Sequence, residues 1–294
     1  MPKQTILVTG SKGQLGRELF RAVKNSEDLN LVFTDVEQID ITNAKKVRTV
    51  IESLKPFAVV NCAAYTAVDK AESEPELAFA INASGPANLA AACALTESLF
   101  IHISTDYVFG GGESEPYKED HPVNPNGVYA QTKAQGEQAI FTSGADYAII
   151  RTAWLYSIYG KNFVKSMLRL GKEKEELKVV NDQIGSPTNA EDLALAVLHI
   201  IRHPDADKAM QQIFHYSNSG IISWFDFATE IINYAGLACK VLPIPTSEYP
   251  TPSPRPAYSV MDTSKIRNAF NIRIPEWKES LHKCLDSLLS PQKD

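Results

Sequence analysis

Three residues near the middle of the chain carry side chains suited to a proton transfer. Thr105 lies in the segment STDYVF directly after an apolar run, and in YAQTK the residue Tyr129 precedes Lys133 by four positions. On a helix, positions i and i+4 share a face, so the phenol and the ammonium can point into one pocket. A carbonyl that accepts hydride develops negative charge on its oxygen and needs a proton donor and a hydrogen-bond partner. We therefore predict a catalytic set of Thr105, Tyr129 and Lys133, in which the ammonium lowers the pKa of the phenol toward neutrality.

A glycine loop near the N-terminus predicts a dinucleotide site. The segment VTGSKGQLGREL places three glycines between a predicted strand and a predicted helix, where backbone N–H groups can bind a pyrophosphate. Asp35 ends the next predicted strand, 25 residues after Gly10, where a carboxylate can bond the adenosine ribose. The residues predicted to bind the dinucleotide are Gly10, Lys12, Gly13, Gln14, Leu15, Gly16, Asp35, Asp40, Ile41, Ala63, Ala64, Tyr65, Tyr129 and Lys133.

The choice between NADPH and NADH stays open at this point. Asp35 favours NADH, because a carboxylate repels a 2′-phosphate. Lys12, inside the glycine loop, could instead attract that phosphate. Either cofactor, or both, is compatible with these two residues.

The elements that must position these residues are predicted from short apolar runs. TILVTG, LNLVFTD, FAVVNCAA, LFIHIST and YAIIRTAW are each typical of a strand buried on both faces. Amphipathic stretches between them predict helices over 14–24, 43–54, 74–96 and 129–142. This alternation predicts an α/β fold with a doubly wound parallel sheet of the Rossmann type. Ligands of such folds bind outside the carboxyl ends of the strands, where the candidate residues fall.

The pattern changes after Trp154 to mixed helices, short strands and proline-rich turns. We predict a dinucleotide-binding domain over 1–152 and a smaller mixed α/β substrate-binding lobe over most of 153–294. The amphipathic stretch within 190–212 is expected to return to the first domain. The segment LPIPTSEYPTPSPRPAYS at 242–259 is too irregular for a core strand and predicts an ordered binding loop.

Composition and charge restrict the classes of partner. The chain has 294 residues and a formal charge of −6, which gives no electrostatic footprint for nucleic acid or an anionic membrane surface. Its four cysteines are widely spaced, without the spacing of a zinc site or a disulfide framework. The N-terminal segment lacks the apolar stretch of a signal peptide, and no window of about 18 uncharged apolar residues is expected to span a membrane. We expect a cytoplasmic protein that binds neither nucleic acid nor a membrane.

Over nearly its whole length the sequence resembles the extended short-chain dehydrogenase/reductase superfamily. Within it, the ordered segments NCAAYTAVDKAESEPELAFAINA, STDYVFGG, NGVYAQTKAQGE, RTAWLY, NDQIGSPT and YPTPSPRP are most similar to the dTDP-4-dehydrorhamnose reductase family. The resemblance implies transfer of a hydride from a nicotinamide cofactor to the C4 ketone of dTDP-4-dehydro-L-rhamnose. This reaction would be the last step of dTDP-L-rhamnose synthesis.

The resemblance also implies residue roles. Tyr129 would protonate the new alkoxide, Thr105 would bind the same oxygen, and Lys133 would hold the nicotinamide ribose. Arg255, in the proline-rich loop, would bind the diphosphate of the dTDP-sugar, because its planar fork can contact two oxygens. The residues implied to bind substrate are Val68, Thr105, Asp106, Tyr129, Trp154 and Arg255.

The resemblance leaves oligomeric state and metal dependence open. Some family members are described as dimers in which glutamates of both subunits hold Mg²⁺. This chain has Glu191, but its last 13 residues, HKCLDSLLSPQKD, contain no glutamate. We predict no metal ligands, and either a monomer or a homodimer.

Other functions are compatible with some of the same motifs. A nucleotide-sugar 4,6-dehydratase has a glutamate after the strand-end aspartate, whereas Asp106 is followed by Tyr107, which cannot replace a carboxylate as a base at neutral pH. An epimerase or another nucleotide-sugar reductase is disfavoured by motif resemblance alone. A non-catalytic NAD(P)-binding subunit, like the regulatory subunit of methionine adenosyltransferase, would share the fold. The intact set Thr105, Tyr129 and Lys133 favours catalysis.

Overall fold

The computed structural model describes residues 3–24, 26–204 and 209–290. Its strands, in chain order, are β1 (Gln4–Thr9), β2 (Leu29–Phe33), β3 (Ala58–Asn61), β4 (Leu99–Thr105), β5 (Tyr147–Thr152), β6 (Leu155–Tyr156), β7 (Glu176–Val180), β8 (Ile184–Gly185), β9 (Thr188–Asn189), β10 (Gln212–Tyr216), β11 (Ile222–Ser223) and β12 (Lys240–Ile244). The helices are α1 (Gln14–Val23), α2 (Ala44–Leu54), α3 (Val68–Ala71), α4 (Pro75–Phe79), α5 (Gly85–Thr96), α6 (Val128–Phe141), α7 (Phe163–Glu173), α8 (Ala190–Arg202), α9 (Trp224–Tyr234), α10 (Ser264–Phe270) and α11 (Trp277–Leu289).

Six parallel strands form the main sheet, in the order β10-β5-β4-β3-β1-β2. The predicted doubly wound parallel sheet is confirmed, and each predicted run overlaps one of its strands. β2 lies at the edge and is partly exposed over 30–33, so the expectation of burial on both faces is wrong for it. β10 was not predicted as a strand. Because β2 and β3 leave β1 in opposite directions, the switch point of the sheet falls between β1 and β3, beside the glycine loop.

Helices cover both faces of this sheet. Along β1, Ile6 and Val8 pack beneath α1 and α8, whereas Leu7 packs beneath α2 and α5. This alternation follows from the two-residue period of a strand. The stretch within 190–212 contributes α8 to one face and the first residue of β10 to the sheet edge, although 205–208 lie outside the described residues. The division of the chain into two domains stays a prediction.

A single π-helical turn joins α4 to α5 and makes a continuous helical run over Pro75–Thr96. The most apolar 18 residues of this run have a mean hydropathy of 1.2, and half of that window is buried inside the protein. By length and composition alone the run could cross a membrane, which the sequence analysis overlooked. Burial of this extent is also typical of a core helix, and α5 contributes Leu89 and Cys93 to the core under the sheet.

A second apolar core lies in the C-terminal part of the chain. Helices α7, α9 and α11 enclose it, and the parallel pair β7 and β12 closes one side. Phe227 and Ile231 of α9 and Leu281 of α11 are fully buried there. The segment predicted as a binding loop begins inside β12, because residues 242–244 belong to that strand, and the prediction is wrong for them. The rest of the segment returns toward the carboxyl ends of the main sheet, where Ser253 reaches the start of α6.

Candidate active site

The glycine loop is held tightly against the end of β3. Gly10 has φ +65°, and a Cβ there would lie 2.5 Å from the backbone nitrogen of Ala63. At Gly16 a Cβ would lie 2.6 Å from the carbonyl oxygen of Gly10. Both positions therefore require glycine. Gly13 precedes α1 without a side-chain cap, so the first N–H groups of that helix are available to an anion.

Asp35 is oriented by the loop that it faces. Its carboxylate accepts hydrogen bonds from the backbone N–H of Lys12 at 2.8 Å and of Val36 at 2.9 Å. The Lys12 ammonium, however, forms an ion pair with Glu37, and this hydrogen bond raises the pKa of Lys12. Sequence reasoning missed Glu37. Its carboxylate competes with any phosphate for Lys12, although both side chains are exposed and the pair is weak.

A cavity of about 410 Å³ opens beside this loop. The predicted residues that line it are Gly10, Lys12, Gly13, Asp35, Asp40, Ile41, Ala63 and Ala64. Its other walls include Ile39, Leu77 and Ile81, of which the last two are one helical turn apart in the Pro75–Thr96 run. An apolar slot with a carboxylate at its rim and a glycine loop below fits an adenosine and its pyrophosphate. The residues therefore fit a dinucleotide cofactor.

The remaining predicted cofactor residues do not line that cavity. The Leu15 side chain is buried in the core under the sheet. Gln14 accepts a hydrogen bond from Asn162 at 2.9 Å, and the Tyr65 hydroxyl donates to Glu74 at 2.6 Å. Gly16 lies beneath the loop, against the Gly10 carbonyl. These side chains shape the loop and its surroundings rather than the cavity wall.

Two close contacts set the position of α6, which carries Tyr129 and Lys133. Glu72 accepts a hydrogen bond from the first N–H of the helix, that of Val128, at 2.9 Å. Further along, Gly136 lies against the π-helical turn, where any Cβ would overlap the carbonyl oxygen of Asn82. The helix can therefore approach this turn closely, and both Tyr129 and Lys133 are buried.

The Tyr129 phenol lies beside the end of β4. Burial raises its pKa to about 12, while a hydrogen bond with Thr105 acts in the opposite direction. The Thr105 hydroxyl also donates to Asp106 at 3.0 Å. Burial raises the pKa of that carboxyl to about 6. The expectation that Lys133 lowers the pKa of Tyr129 toward neutrality is not met here, because the ammonium makes its contacts deeper in the protein.

Lys133 points below Tyr129 toward β4. Its Nζ donates to the carbonyl oxygen of Ile103 at 2.7 Å and lies 3.1 Å from Nε2 of His102. Burial lowers the pKa of Lys133 to about 8, and the carboxylate of Glu137 acts in the opposite direction. His102 was not predicted. Its signal in the sequence is a lone imidazole inside the apolar run LFIHIST, three residues before Thr105.

A larger cavity of about 790 Å³ lies between the sheet ends and the C-terminal core. Arg255 lines it and donates to Asp69 at 2.7 Å and to the carbonyl oxygen of Ser253 at 3.0 Å. Tyr107 also lines it, with its ring centre 5.4 Å from that of Tyr129 in an edge contact. Tyr129 itself does not line this cavity, but a residue of the wall contacts the ring of the predicted proton donor. Residues of this wall that sequence reasoning missed include Tyr107, Lys174, Lys178, Trp224 and Tyr249.

Trp154, which was predicted to bind substrate, lies behind a second tryptophan, Trp224, at the large cavity. The ring that lines the cavity is that of Trp224, and Trp154 stacks on it with a ring-centre distance of 3.7 Å. Trp154 has φ +49°, a conformation that costs about 1–3 kcal/mol for a residue other than glycine. Strain of this kind is common at functional sites.

Val68, also predicted to bind substrate, packs with Tyr107 beside Tyr129.

Comparison with known proteins identifies the family. The family model described as RmlD substrate binding domain matches residues 4–290. The Bacillus subtilis spore coat polysaccharide biosynthesis protein SpsK is 42% identical, over 95% of this chain and 96% of the relative. The crystal structure of a dTDP-4-dehydrorhamnose reductase from Clostridium acetobutylicum is 45% identical, with a TM-score of 0.92, and covers 97% of this chain and 99% of that one.

The chain belongs to the dTDP-4-dehydrorhamnose reductase family. This confirms the resemblance found in the sequence. A second solved member of the family, from Bacillus anthracis, was determined in complex with NADP; it is 40% identical, with a TM-score of 0.92, and covers 97% of this chain and 100% of that one. The glycine loop and the cavity above it are consistent with a dinucleotide in the same family.

Glu191, the residue considered for a metal site in this family, is engaged by cations of the same chain. Lys283 donates to its carboxylate at 2.9 Å, and Arg21 lies 3.7 Å away. Residues 291–294 of the tail without glutamate lie outside the described residues.

Proposed function

We propose that this protein reduces the C4 ketone of dTDP-4-dehydro-L-rhamnose to give dTDP-L-rhamnose, with NADPH or NADH as the hydride donor. The observation that carries the proposal is the buried set of Thr105, Tyr129 and Lys133, which lies at the sheet ends in a chain of the reductase family. One cavity fits a dinucleotide, and the other is lined by three cations, three carboxylates and several aromatic rings.

In the proposed reaction Tyr129 donates its proton to the carbonyl oxygen. The nicotinamide, when bound, supplies the hydride that adds to the carbonyl carbon. Because burial raises the pKa of Tyr129 to about 12, the phenol keeps its proton at neutral pH, which is the form that reduction requires. Thr105 supplies a second hydroxyl beside the phenol for the same oxygen. Lys133 lies one helical turn after Tyr129 on α6, on the side of the phenol that faces the protein interior.

The cofactor would be held by the glycine loop and by Asp35. Backbone N–H groups after Gly13 would face the pyrophosphate, and the Asp35 carboxylate, fixed by two backbone N–H groups, would face the ribose. Lys12 and Glu37 together decide how well a 2′-phosphate is accepted. Their ion pair must open if Lys12 is to bind that phosphate.

The substrate would occupy the large cavity, with its diphosphate near Arg255. Lys174 and Lys178 line the same cavity and offer cations to an anionic ligand, beside the carboxylates of Glu176 and Glu248. The Arg255–Asp69 ion pair would then be exchanged for a contact with the diphosphate. Arg255 belongs to the predicted substrate-binding lobe (153–294), whereas Asp69 belongs to the predicted dinucleotide-binding domain (1–152). We therefore also propose that substrate binds between the two predicted domains.

We further propose a cytoplasmic setting. All four cysteines are free, and Cys93, Cys239 and Cys284 are buried. Free buried thiols are consistent with a reducing compartment.

The test is oxidation of NADPH or NADH by the purified protein, with and without dTDP-4-dehydro-L-rhamnose. We expect oxidation only when the keto-sugar nucleotide is present, with a product whose C4 carries a hydroxyl. Thr105→Val should lower turnover by about 10²-fold while the cofactor still binds. A protein that binds the cofactor but shows no oxidation with this substrate would favour the non-catalytic alternative.

A further inference from the structure

A row of buried polar side chains connects β1, β3 and β4 directly beneath the candidate active site. Thr9, Asn61 and His102 are register partners on these neighbouring strands, and Lys133 reaches the end of the row from α6. All four side chains are at least 98% buried. In such a row every hydrogen bond needs one donor and one acceptor, so the role of each atom can be assigned from its neighbours.

The first assignment concerns the Asn61 amide. The backbone N–H of Ala63 lies 3.1 Å from Asn61 Oδ1, and this group can only donate. Thr9 also donates to Oδ1, at 2.7 Å. The amide oxygen is therefore fixed between these two donors. The amide nitrogen must face Nδ1 of His102, at 3.0 Å.

The second assignment follows for the imidazole. Because Asn61 donates to Nδ1, this nitrogen carries no proton, and the neutral ring holds its proton on Nε2. Burial is the largest cause that lowers the pKa of His102 well below its usual value, so the ring is neutral. Nε2–H therefore points at Nζ of Lys133. An ammonium has no lone pair to accept this hydrogen bond, but a neutral amine has one.

We propose that His102, held as its Nε2–H tautomer by Asn61, is a positioning residue that donates to Lys133 and favours its neutral amine. The amine then accepts from His102 and donates to the carbonyl oxygen of Ile103. Protonation of Lys133 breaks this arrangement. Either the imidazole proton moves to Nδ1 and opposes the Asn61 amide, or the amide turns over and leaves the Ala63 N–H without its acceptor.

None of the other charged or titratable groups described around Lys133 favours its neutral amine as His102 does. Glu137, one turn further along α6, favours the ammonium, but Arg151 at 2.7 Å and Ser104 already bind its carboxylate. Tyr129, one turn earlier, keeps its proton at neutral pH. From the sheet, His102 is the titratable group in contact with Nζ. The consequence for the reductase rests on the proposed function: the charge of the lysine beneath the proton donor is set by the His102 tautomer.

The direct test is nitrogen-15 NMR of histidine-labelled protein to which no cofactor has been added, at pH 9–10, above the pKa of about 8 of Lys133, where its side chain is the neutral amine. We expect a protonated Nε2 and an unprotonated Nδ1 for His102, identified by the signals that disappear in His102→Gln. The opposite tautomer in the wild-type protein would overturn the proposal. This measurement needs no variant to fold other than the one used for assignment, and it does not depend on the substrate assay.

A second measurement follows the titration of Lys133 by carbon-13 labelling of lysine side chains, assigned with Lys133→Met. Asn61→Leu removes the group that fixes the tautomer and adds no charge. Since one buried hydrogen bond no longer opposes the ammonium, we expect its protonation equilibrium to shift by about tenfold to a hundredfold, which raises the midpoint by about one to two pH units.

The matched control is His215→Phe, which removes another fully buried imidazole, bonded to the Tyr117 carbonyl. An unchanged midpoint in Asn61→Leu, or an equal shift in the control, would overturn the proposal. If both measurements succeed while the substrate assay fails, the proposed function is wrong and the inference stands.

Discussion

Replacement of Lys133 by methionine should change the way in which stability depends on pH. The side chain is 98% buried, and burial lowers its pKa from 10.5 to about 8. In the unfolded chain the amine keeps its ordinary pKa, so between these two values the unfolded state binds more protons than the folded state. Stability therefore rises with pH in this window, and below about pH 8 the protein carries the full cost of a buried ammonium. Methionine has a similar length and does not titrate.

The size of the effect follows from the pKa difference of about 2.5 pH units. At about 1.4 kcal/mol per unit, the wild-type free energy of unfolding should rise by roughly 2–3 kcal/mol relative to Lys133→Met between pH 7 and pH 10. The hydrogen bond to the Ile103 carbonyl, which methionine cannot make, is open to both protonation states of Lys133, so it contributes a nearly constant difference that does not affect this slope.

Urea unfolding of both proteins at pH 7, 8, 9 and 10 measures the effect. Subtracting the two curves at each pH cancels the titration of every group that behaves alike in both proteins. A difference that stays constant over this range would show that Lys133 titrates alike in the folded and unfolded states. A difference that falls with pH would show that the folded protein prefers the ammonium. Either result would refute the burial argument.

Three further predictions concern the cofactor and substrate sites. Asp35→Ala should move the ratio of kcat/KM values toward NADPH, because it removes a carboxylate that repels a 2′-phosphate, as measured by steady-state kinetics with both cofactors. Arg255→Ala should raise KM for the sugar nucleotide by about tenfold to a hundredfold while the cofactor Kd hardly changes, since one charge-assisted contact is lost. Gly10→Ala should weaken cofactor binding and lower stability by about 1–3 kcal/mol, because alanine is strained at φ +65° and its Cβ would meet Ala63.

Each of these predictions has a contrary outcome. A fixed cofactor ratio in Asp35→Ala would remove that carboxylate from the ribose site. Equal damage to cofactor and substrate binding in Arg255→Ala would remove the guanidinium from the substrate site. Wild-type cofactor affinity in Gly10→Ala would mean that the loop does not face the dinucleotide.

Local patterns in the sequence predict much of the main sheet. The apolar runs are long enough to specify β1, β3, β4 and β5, and the glycine spacing specifies the turn after β1. β10 escapes prediction because QIFHY is short and mixed, and only its pairing with β5 makes it a strand.

The predicted site residues depend on local spacing, and the missed ones depend on contacts between distant segments. Tyr129 and Lys133 are visible as an i, i+4 pair on one helix. The pairing of Asn61 with His102 exists only through the register of β3 and β4. The stacking of Trp154 on Trp224 joins residues 70 positions apart, and no local pattern indicates which ring faces the cavity.

The pKa of Tyr129 shows a further limit of sequence reasoning. Spacing places an ammonium near the phenol but does not give its direction. In the folded protein Lys133 turns toward His102 and Ile103, and burial dominates the phenol.

The measurement that tests the central claim most directly compares wild-type protein with Tyr129→Phe. Single-turnover oxidation of NADPH or NADH by the keto-sugar nucleotide is followed alongside a cofactor titration of both proteins. Phenylalanine keeps the ring and removes the proton donor, so we expect an unchanged cofactor Kd and a rate lower by about 10²–10⁴-fold, the usual contribution of a positioned acid. A wild-type rate in Tyr129→Phe would contradict the assignment of Tyr129 as the proton donor and, with it, the proposed chemistry of this site.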